Sequence, residues 1–216
     1  MILNVLLDLD GTLTDPALGI TNCIAYALTR LDAAVPPMRA LRFTIGSPLR
    51  GSFATLLATD DAQLVERAIV LYRERFADTG FFENTLYDGV PEMLAALKAQ
   101  NHRLILATAK PHVYARRILD HFGILAPFDA IYGSELDGTR QHKADLLAYL
   151  IAHENIDPQT AVMVGDRHHD IDAARVNGCL AIGVTYGYGS AEELAQANLL
   201  CASPFGITDA VAKARA

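Results

Sequence analysis

The chain has 216 residues, of which 51% are hydrophobic and 20% are charged, and its formal net charge is −7. This length and composition predict one well-packed core, with room for a smaller second module and no long disordered stretch. The negative charge argues against a dedicated nucleic-acid surface, which normally needs a basic stripe. Anionic substrates remain compatible with it, because a metal ion and a few local cations override the overall field.

The three cysteines are widely spaced and form no C-x-x-C pair, which is typical of an intracellular protein with free thiols. The apolar N-terminus lacks a basic leader and reaches Asp8 too soon for a signal peptide. No segment approaches membrane-spanning length. We therefore predict a cytoplasmic protein with no membrane contact.

The first predicted element is a short apolar run, residues 3–7, which fills both faces of a strand buried in a parallel sheet. Asp8 and Asp10 follow at its carboxyl end, where open α/β sheets place their ligands. Such close like charges are unfavourable unless a cation, a hydrogen-bond network or a proton offsets them. Gly11 permits a tight bend after them. An ordinary acidic turn is the alternative interpretation.

Residues 16–82 have a helical pattern and no predicted strand. Apolar residues recur at helical spacing from Leu18 to Leu31 and from Leu64 to Phe76, with a short helix over Met38–Phe43 between them. Thr44–Arg50 is interpreted as a loop that enters a further helix, because Gly and Pro interrupt it. We interpret this block as an inserted helical cap of roughly four helices.

Strands and helices alternate from Tyr87 onward. The predicted strands are Arg103–Ala107, Ala130–Tyr132, Ala161–Gly165 and Leu180–Val184. Helices are predicted from Pro91 and over His112–Phe122, Lys143–His153, Ile171–Asn177, Ala191–Ala197 and Phe205–Ala214. Helix-length crossovers between strands predict an α/β fold, a Rossmann-like doubly wound parallel sheet. The predicted catalytic core is residues 1–15 and 83–216.

Polar residues follow several of these strands. Thr108 and Lys110 follow one, and Asp166 follows another, with Asp170 four residues further on. If a helix begins there, that spacing brings both carboxylates toward one ion. Mg²⁺ prefers such hard oxygen ligands, so Asp8, Asp166 and Asp170 are its candidate ligands. The alternative is that acidic residues only complement a helix dipole.

Zinc is a weaker hypothesis for the same region. His168 and His169 lie between the two aspartates. Hard oxygen ligands dominate the site, however, and two adjacent histidines seldom both face one ion. The sequence therefore favours Mg²⁺.

The order of these motifs (D-x-D-G-T, a strand-end Thr, a Lys and G-D-x-x-x-D) resembles the haloacid dehalogenase superfamily of phosphatases. The resemblance covers nearly the whole chain, and the helical block resembles the cap of that superfamily's first subclass. Gly133–Arg140 and Tyr186–Ser190 resemble its phosphoglycolate phosphatase and 5′-nucleotidase-like branch.

The resemblance implies a role for each motif residue. Asp8 matches the nucleophile that forms an aspartyl-phosphate, and Asp10 matches the general acid and base. Thr108 and Lys143 resemble the pair that holds the transferring phosphoryl oxygens. The implied metal ligands are Asp8, the backbone carbonyl of Asp10, Asp166 and Asp170.

Further candidates would bind the substrate. Thr108, Ala109 and Lys110 form one group, and Ala109 departs from relatives that often have Asn there. Lys110 either supports the phosphate or is a solvated lysine. Gly46 and Arg50 lie in the predicted cap loop, where Arg suits an anionic leaving group. An exposed Arg at a helix start is the alternative.

Together these features predict a Mg²⁺-dependent phosphomonoester hydrolase, since dehalogenases lack the second acid, Asp10. The expected partner is a small phosphate ester, phosphoglycolate first and a nucleoside 5′-monophosphate as the alternative. A sugar-phosphate mutase and a catalytically silent binding protein stay open as further alternatives. The sequence pattern does not indicate an oligomeric state.

Overall fold

A computed structural model of the protein describes residues 3–214. The chain divides into two compact units, one formed by Asp15–Thr85 and the other by the segments that end at Thr14 and begin at Leu86. Among the described residues, no helix is both long and apolar enough to cross a bilayer.

The described residues form eight strands and eight α-helices. The strands are β1 Asn4–Leu7, β2 Thr14–Asp15, β3 Thr85–Leu86, β4 Arg103–Pro111, β5 Ala130–Ser134, β6 Ala161–Gly165, β7 Leu180–Val184 and β8 Leu199–Cys201. The helices are α1 Ala17–Arg30, α2 Leu49–Leu57, α3 Ala62–Arg75, α4 Val90–Ala99, α5 His112–His121, α6 Lys143–His153, α7 His168–Val176 and α8 Ile207–Lys213. Short 3₁₀ or π-helical turns are Met38–Thr44, Phe76–Gly80, Pro158–Thr160 and Pro204–Gly206.

A six-stranded sheet in the order β5-β4-β1-β6-β7-β8 is the centre of the larger unit. Its strand pairs are parallel, and helices α4 to α8 pack against it. Leu6, Ile105 and Met163 from three adjacent strands are fully buried in one apolar cluster. The predicted doubly wound α/β fold is confirmed. Strand β1 lies between β4 and β6, at the point where the strand order changes direction and ligands normally bind.

Several element boundaries differ from the sequence-based predictions. Strand β4 continues beyond Ala107 to Pro111, with a shift of register against β5. Helix α7 begins at His168, because its first turn is closed by Asp170. Strands β2, β3 and β8 were not predicted, since runs of two or three residues carry no readable alternation.

The predicted helix over Ala191–Ala197 is wrong, because these residues form turns. Glu193 is bonded to Arg167 and His168 instead of facing solvent on a helix. The side chain of Asn198 accepts the backbone N–H of Ala181 at 2.8 Å and fixes the end of the segment beside β7. Tertiary contacts here outweigh helix propensity.

The smaller unit contains α1, α2 and α3. The short helix predicted over Met38–Phe43 is a 3₁₀ helix that spans Met38–Thr44, and α3 runs into the π-helical turn Phe76–Gly80. Helix α1 packs on α3 and on this turn. Arg75 at the end of α3 makes a two-pronged ion pair with Glu83, at 2.6 and 2.9 Å.

Two helical glycines in this unit should respond to alanine substitution with opposite changes in the free energy of unfolding. A methyl group on Gly19 of α1 would lie 2.1 Å from the carbonyl oxygen of Gly80, whereas one on Gly51 of α2 would meet no atom within 4 Å. We expect Gly19→Ala to lower the free energy of unfolding by about 1–3 kcal/mol through overpacking. Gly51→Ala should raise it by about 0.5–1 kcal/mol, as alanine normally does in a helix. Urea unfolding of both variants checks this. Equal effects would contradict the packing of α1.

Candidate active site

Strand ends bring the predicted site residues together. Asp8 directly follows β1, and its backbone N–H donates to the carbonyl of Val164 in β6 at 3.0 Å. Asp166 directly follows β6, and Lys143 is the first residue of α6. The register that pairs Leu7 with Leu106 places Asp8 level with Ala107, the residue before Thr108.

Asp8, Asp166 and Asp170 form one buried group, called the acidic cluster below. Each offers a carboxylate oxygen, and these oxygens lie within 4.8 Å of one another. Their exposed fractions are 4%, 0% and 1%. Three such buried carboxylates repel one another strongly unless a cation compensates them.

Lys143 is the cation that the chain itself supplies to the acidic cluster. Its Nζ donates to Oδ1 of Asp8 at 2.7 Å and to the carbonyl of Ala107 at 2.8 Å. The same Nζ lies 2.8 Å from Oδ1 of Asp170. The ammonium group therefore orients two carboxylates and links α6 to Ala107 in the middle of β4.

The pKa values of these residues show that the Lys143 ammonium compensates only part of the negative charge of the acidic cluster. Burial raises the pKa of Asp166 well above its usual range, and the charge of Asp170 adds to this. Burial also raises the pKa of Asp170 to about 6, although Lys143 opposes it. Burial alone would lower the pKa of Lys143, but Asp170 and Asp8 outweigh it and raise this pKa. One ammonium does not balance three buried carboxylates.

The acidic cluster fits a hard divalent cation. Oδ2 of Asp166 accepts the backbone N–H of Tyr188 at 2.7 Å, whereas its Oδ1 is buried and has no hydrogen-bond partner among residues 3–214. Mg²⁺ prefers carboxylate oxygens of this kind, and its charge would offset the remaining repulsion. The group of described residues that could hold a metal ion contains no histidine, which argues against the zinc hypothesis.

Glycines let the backbone close around Asp166. Gly11 has φ +87°, and a methyl group on it would lie 2.2 Å from Oδ2 of Asp166. A methyl group on Gly187 would lie 2.3 Å from Cβ of Asp166, and one on Gly189 would lie 1.9 Å from its carbonyl oxygen. Only glycine fits at these three positions while Asp166 keeps its place.

Asp10 is buried and pairs with Lys110. The Lys110 ammonium donates to Oδ2 of Asp10, and the exposed fractions of the two side chains are 6% and 9%. Lys110 is therefore not a solvated lysine, which was one of the two sequence-based interpretations. Burial raises the pKa of Asp10, although Lys110 opposes it.

The other predicted binding residues fall into two places. Thr108 is buried, and its hydroxyl accepts the backbone N–H of Lys110 at 3.3 Å. The carbonyl of Ala109 accepts the Ser134 hydroxyl at 2.7 Å. Gly46 and Arg50 belong to the smaller unit, where Arg50 forms an ion pair with Glu66 at 2.5 Å. Their roles in substrate binding stay predictions.

Sequence reasoning missed the backbone N–H of Tyr188 and the side chain of Glu193. The first is a main-chain donor, which residue type does not reveal. The close glycines of Tyr186–Ser190 were the signal available, since glycines often mark a close approach of backbone to a site. Glu193 was missed because its segment, Ala191–Ala197, was predicted as a helix.

Comparison with known proteins identifies the class. A sequence profile described as haloacid dehalogenase-like hydrolase matches residues 5–184. A 5′-nucleotidase of Pseudomonas aeruginosa is 48% identical over 191 residues, which cover 88% of this chain and 86% of that protein. Tyrosine-protein kinase PtkA of Mycobacterium tuberculosis is 42% identical over 188 residues, 87% of this chain and 64% of that protein.

The structural comparison agrees with the sequence comparison. The crystal structure of a predicted phosphatase from Clostridium acetobutylicum matches with a TM-score of 0.94 and 40% identity, covering 99% of this chain and 100% of that one. The chain belongs to the haloacid dehalogenase-like hydrolase family, and it is an enzyme of the phosphatase class. The resemblance and the enzyme class predicted from the motifs are confirmed.

Removal of the buried Lys143 ammonium should cause a large, pH-dependent loss of stability. We expect Lys143→Met to lower the free energy of unfolding by about 3–5 kcal/mol at pH 8, because it leaves the acidic cluster uncompensated. Without the ammonium, the folded-state pKa values of Asp166 and Asp170, which burial already raises, rise further above their unfolded values. The loss should therefore grow as pH rises and shrink as pH falls toward 5, where protons replace the cation. Urea unfolding at several pH values in a chelator checks this. A pH-independent loss would contradict the electrostatic role of Lys143.

Proposed function

We propose that the protein is a Mg²⁺-dependent phosphomonoester hydrolase that acts through a phosphorylated Asp8. The observation that carries this proposal is the contact of the Lys143 ammonium with Asp8 and Asp170 inside a buried group of three carboxylates. Such an arrangement orients the Asp8 carboxylate and leaves net negative charge, which a divalent cation would offset before a phosphate group binds.

In the first half of the reaction, a carboxylate oxygen of Asp8 attacks the phosphorus atom of the ester. The bond from phosphorus to the ester oxygen breaks as the bond to Asp8 forms. Asp10 gives its proton to the departing ester oxygen. Burial raises the pKa of Asp10, which favours the protonated form that this step needs.

In the second half, Asp10 takes a proton from a water molecule, and the resulting hydroxide attacks the phosphorus atom of phospho-Asp8. Inorganic phosphate leaves and the Asp8 carboxylate is restored, so that the overall reaction consumes one water. Lys110 pairs with Asp10 and holds its carboxyl group in place in both halves. This pairing supports a role for Lys110 beside the reacting atoms.

Charge on the transferring phosphoryl group needs preorganised donors. The Lys143 ammonium and the Thr108 hydroxyl are the proposed donors, with backbone N–H groups near Ala109 as further contacts. Asp8, the Asp10 carbonyl, Asp166 and Asp170 would hold Mg²⁺, which when bound neutralises phosphoryl charge. Residues 16–82 act in this proposal as a cap, whose Gly46 and Arg50 help to select the leaving group.

We propose nucleoside 5′-monophosphates as the substrate class. The support is the 48% identity to a protein named 5′-nucleotidase over 86% of that protein's length. Phosphoglycolate, the first sequence-based expectation, becomes the comparison substrate. The cytoplasmic location predicted from the sequence stays a prediction, and it is compatible with the three buried cysteines, which form no disulfide with one another.

A second candidate is phosphoryl transfer to a protein tyrosine, favoured by the 42% identity to a protein named tyrosine-protein kinase. The two candidates differ in the final acceptor, water or a phenol oxygen. Incubation with γ-labelled ATP and a tyrosine-containing polymer separates them. A hydrolase of nucleoside 5′-monophosphates leaves the polymer unlabelled, whereas a kinase transfers the label to the polymer.

Replacing the nucleophile should abolish turnover. We expect Asp8→Asn to lower kcat for p-nitrophenyl phosphate by about 10³-fold or more, because an amide cannot attack phosphorus. The exposed Asp120 of α5 provides the matched control, and Asp120→Asn should retain full activity. Circular dichroism establishes that both variants are folded. Near-normal turnover by folded Asp8→Asn would rule out Asp8 as the nucleophile.

The substrate proposal predicts a clear preference. With Mg²⁺ present, kcat/KM for at least one nucleoside 5′-monophosphate should exceed that for phosphoglycolate by about tenfold or more, as expected where the leaving group is recognised. Phosphate release from a panel of both substrate types measures this. A preference for phosphoglycolate would overturn the substrate class while leaving the phosphatase chemistry in place.

A further inference from the structure

The segment 186–193 contacts Asp166 and the residues that connect it to Asp170 at the start of α7. Asp166 and Asp170 are separated by only three residues, Arg167, His168 and His169. At one end, the N–H of Tyr188 donates to Asp166. At the other end, Glu193 reaches across to the residues between the two aspartates.

Glu193 makes four contacts with Arg167 and His168. Its Oε2 accepts Nε of Arg167 at 2.7 Å and the backbone N–H of His168 at 3.3 Å, and lies 2.9 Å from Nδ1 of His168. Its Oε1 accepts the second guanidinium nitrogen, Nη2, at 3.4 Å. One carboxylate therefore binds both side chains and the main chain of the connecting residues.

These contacts are made by a charged and partly buried group. Burial would raise the pKa of Glu193, but hydrogen bonds from Arg167 and His168 outweigh it and lower the pKa to about 2. The Arg167 side chain is only 10% exposed. Charge-assisted hydrogen bonds in such surroundings are short and directional, so they restrain the backbone between the two aspartates.

The backbone of Arg167 is also bonded to Asp170. Its N–H donates to Oδ2 of Asp170 at 3.1 Å, and its carbonyl accepts the Asp170 N–H at 3.0 Å. A shift of Arg167 would therefore move the Asp170 carboxylate relative to Asp166. The Glu193 carboxylate holds the Arg167 side chain from outside this turn.

We infer that Glu193 is a positioning residue for the metal site, which sets the spacing of Asp166 and Asp170 through Arg167 and His168. The inference rests on the proposed function, since it concerns the Mg²⁺ that those two aspartates would bind. Residues that orient metal ligands from behind typically change metal affinity about 10–100-fold when removed.

The adjacent residue provides a matched control. Glu192 is exposed and does not share the contacts of Glu193 with Arg167 and His168. Glu193→Gln and Glu192→Gln remove the same charge from neighbouring positions without changing side-chain shape. A difference between these variants therefore reports the contacts of Glu193 and not the net charge.

The experiment is calorimetric titration of Mg²⁺ into the whole protein and into both variants, at a temperature where circular dichroism shows them folded. We expect Glu193→Gln to raise the Kd for Mg²⁺ about tenfold and Glu192→Gln to leave it unchanged. For Glu193→Gln, the Mg²⁺ concentration that gives half-maximal phosphatase activity should rise in parallel with the Kd. The kcat of this variant at saturating Mg²⁺ should change by less than about threefold.

A purely structural role of Glu193 gives a different result. Glu193→Gln would then have a lower melting temperature but an unchanged Kd for Mg²⁺, and this would overturn the inference while the proposed function stands. If Glu193→Gln does not fold at any tested temperature, His168→Ala, which removes one of the four contacts, replaces it with a smaller expected increase in Kd. Failure of the unaltered protein to bind Mg²⁺ would overturn both the proposed function and this inference.

Discussion

One lysine ammonium among three buried carboxylates is the interaction on which the rest of the site depends. Lys143 touches Asp8 and Asp170, and without it the acidic cluster would carry uncompensated negative charge inside the protein. Even with it, burial keeps the pKa values of Asp166 and Asp170 raised. The folded chain therefore holds unfavourable negative charge at the place where a divalent cation would offset it.

The surrounding fold can be understood as the means of holding that charge. Parallel strands β1 and β6 deliver Asp8 and Asp166 at the same edge of the sheet, and α6 presents Lys143 from its first residue. Glycines at positions 11 and 187 let main chain approach Asp166 more closely than any side chain would allow. Backbone donors such as Tyr188 then orient the carboxylate without adding bulk. Preorganisation of this kind fixes charged groups before the substrate arrives.

The sequence alone predicted the parts of this site that follow from periodicity and strand-end placement. Helix α6, Lys143–His153, was predicted with the bounds that it has. The placement of Asp8 and Asp166 at strand ends followed from parallel-sheet geometry. That of Lys143 beside them was implied only by the resemblance of the motifs to a known family. The pairing of Asp10 with Lys110 joins residues 100 positions apart, so local pattern does not reveal it. The apolar spacing near Leu194 suggested a helix, but Glu193 and Asn198 form long-range contacts that favour turns.

Chemical trapping of the reaction intermediate shows whether Asp8 receives the phosphoryl group. The enzyme is mixed with Mg²⁺ and a ³²P-labelled nucleoside 5′-monophosphate, quenched in acid within the first turnover and digested for mass spectrometry. If Asp8 is the nucleophile, the peptide that contains it should carry an acid-stable, base-labile phosphate. Label on another residue, or steady release of phosphate with no label on the protein at any quench time, would contradict this role of Asp8.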